Sequence, residues 1–197
     1  MTQNRKLCTI IGSDKGGVGK SMVALLMTLV FDHAEHPLRV VEIDNQRKLT
    51  SMLGGDRVDL SLAAAPDLQV VSRDRHAAAA FYNPVYHEWS RGDSLTDLGA
   101  NVTTSLMAWF RQSEIGELAA EDQIEFRFVA CASPDDQAIR SAVSAVSEAR
   151  ASLGQGAEYF VVLNDLGGST GFTPYEGSES MSGLEAMERQ GLLSVLR

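Results

Sequence analysis

The sequence predicts an α/β domain, with a mostly parallel β-sheet that is flanked by helices on both faces. Short apolar runs rich in β-branched residues alternate along the chain with longer segments of helical character. This alternation is typical of domains layered around a parallel sheet, and the first strand–helix–strand stretch is long enough for a right-handed crossover. With 197 residues, of which 44% are hydrophobic, the chain can bury a full core. We find neither an internal repeat nor a linker, and therefore predict one domain over residues 1–197.

The predicted strands are apolar runs that end at glycine or at polar residues. The first, residues 7–11, is followed by Gly12, and the second, residues 39–44, ends at Asp44. Aromatic and β-branched side chains mark the later strands. In chain order, these later predictions are residues 94–99, 124–131 and 159–163, with a weaker candidate at residues 67–72.

The predicted helices are bounded by residues that start or stop a helix. Ser133 is expected to cap one helix, with Pro134 in its first turn, and Pro84 is expected to break another. In chain order, the predicted helices are residues 21–31, 75–82, 102–110, 135–153 and 183–196. The stretch 167–183 is rich in Gly, Ser, Thr and Pro and is predicted to form a loop.

Composition excludes several classes of protein. The net charge of −9 argues against a broadly basic surface that coats nucleic acid, but it does not exclude a small local patch of Lys or Arg. No apolar run approaches the ~18–20 residues that span a bilayer, and residues 7–11 are too short for the core of a signal peptide. We therefore expect a cytoplasmic protein. Cys8 and Cys131 lie in apolar strand-like runs, which favours reduced buried thiols over a disulfide or a metal site.

A glycine-rich segment follows the first strand and precedes the first helix. Residues 12–21 read G-S-D-K-G-G-V-G-K-S and fit the pattern G-x-x-x-x-G-K-[ST], with Gly12 or Asp14 at its start. Glycine lets successive N–H groups turn toward phosphate oxygens, and the following helix presents its positive N-terminus to the same anion. Lys20 supplies a charge to the β- and γ-phosphates of ATP, and the hydroxyl of Ser21 is a Mg²⁺ ligand. The predicted nucleotide-binding residues are Gly16, Gly17, Val18, Gly19, Lys20 and Ser21.

Lys15 is an addition that the general pattern does not require. Because Lys20 occupies the phosphates of its own site, a lysine at the loop entrance reaches those of a facing subunit more easily. The residues K-G-G-V-G-K-S resemble the deviant phosphate loop of the ParA/MinD family of ATPases, in the SIMIBI class. That resemblance implies a Mg²⁺-ATP-dependent homodimer, in which Lys15 contacts the partner's phosphates. It also implies slow hydrolysis of ATP that a partner protein stimulates.

The second predicted strand ends in acidic residues that resemble another segment of this family, D-x-D-P-Q. Glu42 stands at the first acid, Asp44 at the second, and Asn45 in place of the proline. A carboxylate at the carboxyl end of a strand beside the phosphate loop lies where open α/β sheets bind ligands. We predict that Asp44 positions the attacking water and interacts with Mg²⁺ through water. Glu42 in place of aspartate leaves the geometry of the Mg²⁺ shell and the turnover rate open.

Two later residues compete for the acid that anchors Mg²⁺ through water. Local hydrophobicity favours Asp165, which follows the strongest strand, whereas the order of elements in the family favours Asp97 in its D-L-G-A turn. We choose Asp97. The resemblance also implies that Asn164 recognises the edge of the adenine base, against the alternative that it is an ordinary turn residue after a strand.

Within the family, the spacing and the D-L-G-A turn look most like the small TraL-type ATPases of conjugative and mobilisable plasmids. The resemblance implies a role in plasmid transfer, partition or cargo positioning, with an unidentified protein as cargo or activator. The net charge does not support DNA binding. The C-terminal helix carries few basic residues, which favours packing against the sheet over membrane attachment. The chain stops sooner than family members usually do, through truncation of a last strand or through genuine brevity.

Two other functions stay open as alternatives. A biosynthetic ligase or synthetase of the same superfamily transfers phosphate to a carboxylate substrate. Such an enzyme requires convergent polar groups beyond the phosphates, and the sequence reveals no such cluster. An interaction protein that binds nucleotide without turning it over is compatible with Glu42 in place of aspartate.

Overall fold

In the part of the chain that the structure describes, seven strands form one sheet at the centre of the fold. The structure is a computed structural model that describes residues 5–63, 65–165 and 171–197. In chain order the strands are β1 (Lys6–Ile11), β2 (Arg39–Ile43), β3 (Leu60–Leu62), β4 (Ser94–Leu98), β5 (Ile124–Ala132), β6 (Glu158–Leu163) and β7 (Ser194–Leu196). They lie side by side in the order β3-β2-β4-β1-β5-β6-β7. Each neighbouring pair is parallel, which confirms the predicted α/β class.

The described residues also form eight α-helices. In chain order they are α1 (Lys20–His33), α2 (Lys48–Leu53), α3 (Leu68–Arg73), α4 (Arg75–Ser90), α5 (Thr103–Gln112), α6 (Ile115–Glu121), α7 (Asp136–Leu153) and α8 (Glu179–Arg189). Short 3-10 turns occupy Gly55–Arg57 and Thr173–Tyr175.

Helices cover both faces of the sheet. From β1 the chain moves through β2 to β3 at one edge, and then through β4, β5 and β6 to β7 at the other. Because parallel crossovers are right-handed, this reversal places the helices of the two halves on opposite faces. The contacts agree, since α1 packs against α2, whereas α4, α5, α7 and α8 pack in a row. The reversal lies between β1 and β4, and the crevice beyond the carboxyl ends of such strands is where open sheets bind ligands.

Strands β4, β1 and β5 lie at the centre of the core. All five residues of β4 are buried. Trp89 of α4, Trp109 and Phe110 of α5, and Phe126 of β5 form an aromatic cluster, with ring centroids 5.2 to 6.3 Å apart. Tilted and edge-to-face contacts of this kind stabilise a core beyond the area that they bury. The cluster fixes α4 and α5 against the sheet.

Two short elements at the β3 edge differ from the sequence predictions. Residues 67–72, a candidate strand, belong mostly to α3, because the Asp67 carboxylate accepts a hydrogen bond from the backbone N of Val70 at 2.8 Å and caps this helix. Strand β3 was not predicted. It has three half-buried residues at the edge of the sheet, which is too short a run to give a periodic signal.

Pro84 does not end α4, contrary to the prediction. The helix continues through Pro84 to Ser90. A proline inside a helix removes one backbone hydrogen bond and costs about 3 kcal/mol. The turns after Pro84 bury Val85 and Trp89 completely, and the burial of two such side chains offsets that cost. Tertiary packing therefore outweighs the local preference.

The prediction of a helix over residues 183–196 is wrong at both ends. Helix α8 already begins at Glu179 and ends at Arg189, and Ser194–Leu196 pairs with β6 as β7. This pairing supplies backbone hydrogen bonds and brings Leu193 into the core, neither of which local helix propensity anticipates. Of the predicted loop, residues 167–170 lie outside the described residues.

Two smaller expectations concern the cysteines and the membrane. Cys8 and Cys131 are free and buried, as predicted. None of the described helices combines the length and the apolar character that a bilayer crossing requires.

Candidate functional site

The glycine-rich segment connects β1 to α1, as the sequence predicts. Gly17 and Gly19 have left-handed backbone conformations, with φ of 77° and 92°. A Cβ atom on Gly19 would lie 1.8 Å from the Nδ2 atom of Asn164, so this position requires glycine for space as well as for conformation. Gly19 is the N-cap of α1. The loop and the positive end of the helix therefore form one anion cradle.

Lys20 lies inside this cradle. Its Nζ atom donates a hydrogen bond to the carbonyl oxygen of Lys15 at 2.8 Å, and the residue is only 7% exposed. Burial lowers the pKa of Lys20, while the charge of Asp97 acts in the opposite direction. The ammonium group therefore stands where it can form charge-assisted hydrogen bonds to a phosphate in the loop.

Asp97 lies beside the loop, near the end of β4. In the sheet register it is paired with Ile11 of β1 and with Glu42 of β2. The residue is fully buried, and neither carboxylate oxygen has a hydrogen-bond partner in the described part of the chain. Burial raises the pKa of Asp97 to about 7. The nearby Ser21 hydroxyl opposes this rise, although it donates no hydrogen bond of normal geometry. The fold thus brings together Ser21, Lys20 and Asp97.

The surroundings of Ser21 and Asp97 fit Mg²⁺. This cation prefers hard oxygen ligands and takes only one or two carboxylates from the protein, with the remaining positions filled by phosphate oxygens and water. Two buried carboxylate oxygens without partners, next to a hydroxyl group, match that requirement. No group of three or more His, Cys, Asp or Glu side chains suited to a metal occurs in residues 5–63, 65–165 and 171–197. The arrangement suits an ion shared with a ligand rather than one enclosed by protein.

Asp44 follows β2 directly and is 8% exposed. Its Oδ1 atom accepts a hydrogen bond from the backbone N of Gln46 at 3.2 Å, which closes a turn. A Cβ atom on Gly99 would lie 2.8 Å from the same oxygen, so glycine at the end of β4 allows the close approach. Gly99 also donates its backbone N–H to the carbonyl oxygen of Ile43 at 2.8 Å. The D-L-G-A turn therefore fixes Asp44 beside Asp97.

A cavity of about 860 Å³ opens next to the phosphate loop. This volume suits a ligand of the size of a nucleotide. Its walls are the loop, the turn after β2, the start of α2 and the turn after β4. The polar or loop residues that line it include Gly16, Gly17, Gly19, Lys20, Ser21, Asp44, Gln46, Lys48, Ser51, Asp67, Gly99 and Asn101.

Glu42 does not line the cavity. It is fully buried, and its carboxylate accepts hydrogen bonds from Leu49 N at 2.7 Å and from Thr50 N at 3.2 Å. The hydroxyl groups of Thr50 and Ser61 also donate to it. Glu42 is therefore the anchor of α2 on the sheet. The longer side chain, relative to the aspartate of the family segment, reaches this helix.

Lys15 does not line the cavity, and its side chain contacts the start of α7 instead. Its Nζ atom donates a hydrogen bond to Gln137 Oε1 at 2.6 Å and lies 3.2 Å from Asp135 Oδ2. Asp135 caps α7 by accepting a hydrogen bond from Gln137 N, and this bond, with a smaller effect of Lys15, lowers the pKa of Asp135. The two lysines of the loop thus occupy different places: Lys20 is inside the cradle, and Lys15 is at its rim.

Asn164 and Asp165 follow β6. The Nδ2 atom of Asn164 donates a hydrogen bond to the carbonyl oxygen of Val18 at 3.1 Å, so this residue contacts the phosphate loop. Asp165 stands at the end of a strand that is separated from β1 by β5, whereas Asp97 stands on a strand adjacent to β1. Of the two competing acids, Asp97 is the one next to Ser21.

Three features of the site were not found from the sequence. These are the anchoring role of Glu42, the pair that Lys15 forms with Asp135, and the position of Lys48 in the cavity wall. No motif marks any of them, because each depends on where α2 and α7 begin relative to the loop. The predicted N-cap of α7 was placed at Ser133, whereas the cap is Asp135.

Comparison with known proteins bears on the fold. No protein-family model matches the chain, and no curated protein matches it. Among solved structures, apo McdA from Cyanothece is similar, with 14% sequence identity, a TM-score of 0.53, and coverage of 97% of this chain and 86% of McdA. A variant of Cyanothece McdA in complex with ATP shares 14% identity at a TM-score of 0.47, over 98% and 82% of the two chains. MinD from Aquifex aeolicus shares 13% identity at a TM-score of 0.45, over 92% and 78%.

The parallel sheet and the glycine-rich loop between β1 and α1 define a fold of the P-loop class. More narrowly, the similarity to apo McdA shows that the chain shares the fold of that protein.

Proposed function

We propose that the chain is a Mg²⁺-ATP-binding ATPase that acts as a dimerising switch. It hydrolyses ATP slowly, a partner protein stimulates it, and it serves plasmid transfer, partition or the positioning of a cargo. The observation that carries this proposal is the separation of the two loop lysines. Lys20 lies in the cradle, whereas Lys15 lies at the rim, outside the cavity of its own protomer.

In the proposed bound state, each residue has a distinct task. The loop amides and Lys20 hold the β- and γ-phosphates, which keeps the phosphate chain in one orientation. Ser21 and Asp97 would hold Mg²⁺, the latter through water, and the bound ion would supply charge neutralisation at the phosphates. Asp44 would orient the attacking water and contact the Mg²⁺ shell through water. Phosphoryl transfer requires positioning and charge stabilisation more than a strong base.

Lys15 and Asn164 complete the proposed site. Lys15 leaves Asp135 and reaches the phosphates of the partner protomer across a two-fold axis, so a complete site requires two chains and ATP. Asn164 recognises the edge of the adenine base. Its Nδ2 atom bonds to Val18 of the loop, which leaves the carbonyl oxygen to accept a hydrogen bond from the exocyclic amino group of adenine.

A ligase or synthetase of the same superfamily is the second candidate. The favouring observation is that the cavity extends past the phosphate loop to Ser51 and Asp67, polar groups that could face a second substrate. Such an enzyme would show ATP turnover that depends on a carboxylate metabolite. Turnover without a metabolite, stimulated by a protein, supports the switch. The third candidate, an interaction protein without turnover, would bind ATP but release no phosphate in a single-turnover assay.

The test compares two lysine variants. We expect Lys20→Ala to abolish nucleotide binding. Lys15→Ala should keep binding in the protomer and lose both dimerisation and hydrolysis, because it removes only the contact across the interface. Arg73→Ala, which removes an exposed cation distant in sequence from the loop, is the control and should behave as the wild type.

The measurement is light scattering without nucleotide, with ADP and with a non-hydrolysable ATP analogue, together with calorimetric titration of ATP. A shift from monomer to dimer only with the analogue supports the switch. Dimerisation of Lys15→Ala equal to that of the wild type would refute the role of Lys15.

A further inference from the structure

Lys48, the first residue of α2, is a cation in the wall of the nucleotide cavity. It lines the same cavity as Lys20, Ser21 and Asp44. In the described part of the chain its side chain forms neither an ion pair nor a hydrogen bond. The charge of Lys48 also contributes to lowering the pKa of Lys20, so the two ammonium groups repel each other. Two ammonium groups in the wall of one cavity favour an anionic ligand there, beside the carboxylate of Asp44 in the wall and that of Asp97 near Lys20.

Buried contacts hold Lys48 in this position. The two residues that follow it, Leu49 and Thr50, donate their backbone N–H groups to the carboxylate of Glu42 at 2.7 and 3.2 Å. Leu49 is itself fully buried. The backbone immediately after Lys48 is therefore fixed to β2, and the lysine side chain starts from a rigid base.

The neighbouring cation is placed differently. Arg47 has a left-handed backbone conformation, with φ of 49° and ψ of 45°, which is uncommon for a residue with a side chain. This conformation turns the chain from the Asp44 turn into α2. Arg47 and Lys48 are both exposed, but Arg47 does not line the cavity. Of two adjacent cations, only Lys48 lines the cavity.

We propose that Lys48 contacts the phosphates of the nucleotide bound in its own protomer, as a positioning cation in addition to Lys20, and that Glu42 holds α2 in place for this contact. The proposal rests on the proposed function, because it takes the cavity to be the ATP site. An ammonium group in this wall forms charge-assisted hydrogen bonds to phosphate oxygens, which are stronger than hydrogen bonds between neutral groups.

The experiment measures the affinity of the 197-residue chain for a fluorescent ATP analogue with Mg²⁺, in the wild type and in three variants. We expect Lys48→Gln to weaken binding about tenfold, as the loss of one hydrogen bond from a charged group predicts. Lys48→Arg keeps the charge and should recover most of the affinity. Arg47→Gln makes the same change of charge one residue away, outside the cavity, and should bind as the wild type does. Circular dichroism checks that each variant is folded.

A second comparison tests the positioning role of Glu42. Thr50→Val removes one hydroxyl donor from the Glu42 carboxylate without altering the cavity wall. If the anchor acts through Lys48, this change weakens ATP binding in the wild type and has no further effect in Lys48→Gln. Equal losses in the two backgrounds would assign the Glu42 contacts to stability alone.

The outcomes separate the two proposals. Equal ATP affinity of Lys48→Gln and the wild type, or an equal loss in Arg47→Gln, overturns the contact between Lys48 and the phosphates while ATP binding by the loop stands. A wild type that does not bind ATP, or whose affinity for ATP is no higher than that of Lys20→Ala, overturns the proposed function and this inference together.

Discussion

The carboxylate of Asp97 is fully buried and has no hydrogen-bond partner in the described residues. Buried polar groups without partners are rare, and burial of a carboxyl group costs more free energy in its charged form than in its neutral form. Burial therefore raises the pKa of Asp97 to about 7. Strongly shifted acids in a cleft are concentrated at functional sites, since stability alone gives no reason to keep them. At the residue scale, Asp97 is the clearest sign that this end of the sheet serves a ligand.

Asp97→Asn tests this environment in metal-free protein. The pKa of about 7 in the folded state exceeds the ordinary value of 3.8, so between these values the folded protein binds more protons than the unfolded chain. The free energy of unfolding of the wild type should therefore fall as the pH rises through this range and be level above it. Between pH 5 and pH 8 we expect the variant to gain about 3 kcal/mol relative to the wild type. Urea denaturation in EDTA at both pH values measures this, and identical pH dependence of the two proteins would contradict it.

The start of α7 contacts the phosphate loop through Lys15. Asp135 has two tasks there, since it caps the helix through Gln137 N and pairs with the lysine. In the proposed dimer Lys15 must leave this pair before it contacts the partner's phosphates. The pair is partly exposed, and ion pairs that reach solvent contribute about 0–1 kcal/mol. At the scale of elements, the pair that α7 forms with Lys15 therefore lowers the free energy gained on dimerisation by only a small amount.

Asp135→Asn separates the two tasks, because asparagine also caps helices but carries no charge. We expect unchanged helicity and a dimer that forms with the non-hydrolysable ATP analogue at up to about fivefold lower protein concentration. Asp136→Asn makes the same change one residue later, where the carboxylate contacts Arg140 and Ser180 instead of Lys15, and serves as the control. Sedimentation across a concentration series measures the dimerisation constant. Equal dimerisation of both variants, or weaker dimerisation of Asp135→Asn, would contradict the expectation.

The sheet, both helix layers and the aromatic cluster share one continuous core, and the ligand cavity opens where the two halves of the sheet meet. A ligand in that cavity contacts the loop after β1, the turn after β2 and the turn after β4. Binding of such a ligand therefore stabilises the whole domain against unfolding, because a ligand that binds only the folded state shifts the unfolding equilibrium.

At the scale of the whole molecule, we expect one cooperative thermal transition that Mg²⁺-ATP moves upward. At 100 times the dissociation constant, ATP adds about 2.7 kcal/mol to the free energy of unfolding. For a domain of this size that raises Tm by about 5–10 °C. Differential scanning calorimetry should show this shift in the wild type and none in Lys20→Ala. Two separate transitions would contradict the prediction of a single domain.

Much of this molecule could be predicted from local sequence. The α/β class and the loop between β1 and α1 follow from chemistry within a few residues and from the order of elements, whereas the choice of Asp97 over Asp165 as the acid that anchors Mg²⁺ stays a prediction. The errors lie where local preference and packing disagree. Pro84 stays inside α4 because Val85 and Trp89 are buried beyond it, and Ser194–Leu196 is a strand because β6 offers a partner.

The local sequence is enough to predict the anion cradle, because a turn of glycines followed by Lys20 and Ser21 can be recognised without knowing what surrounds it. The residues that face that cradle depend on tertiary packing. Glu42 became the anchor of α2, Asp135 became the partner of Lys15, and Lys48 entered the cavity wall. The physical reason is that these contacts join elements far apart in the chain, whose relative positions are set by the packing of the sheet and its helices.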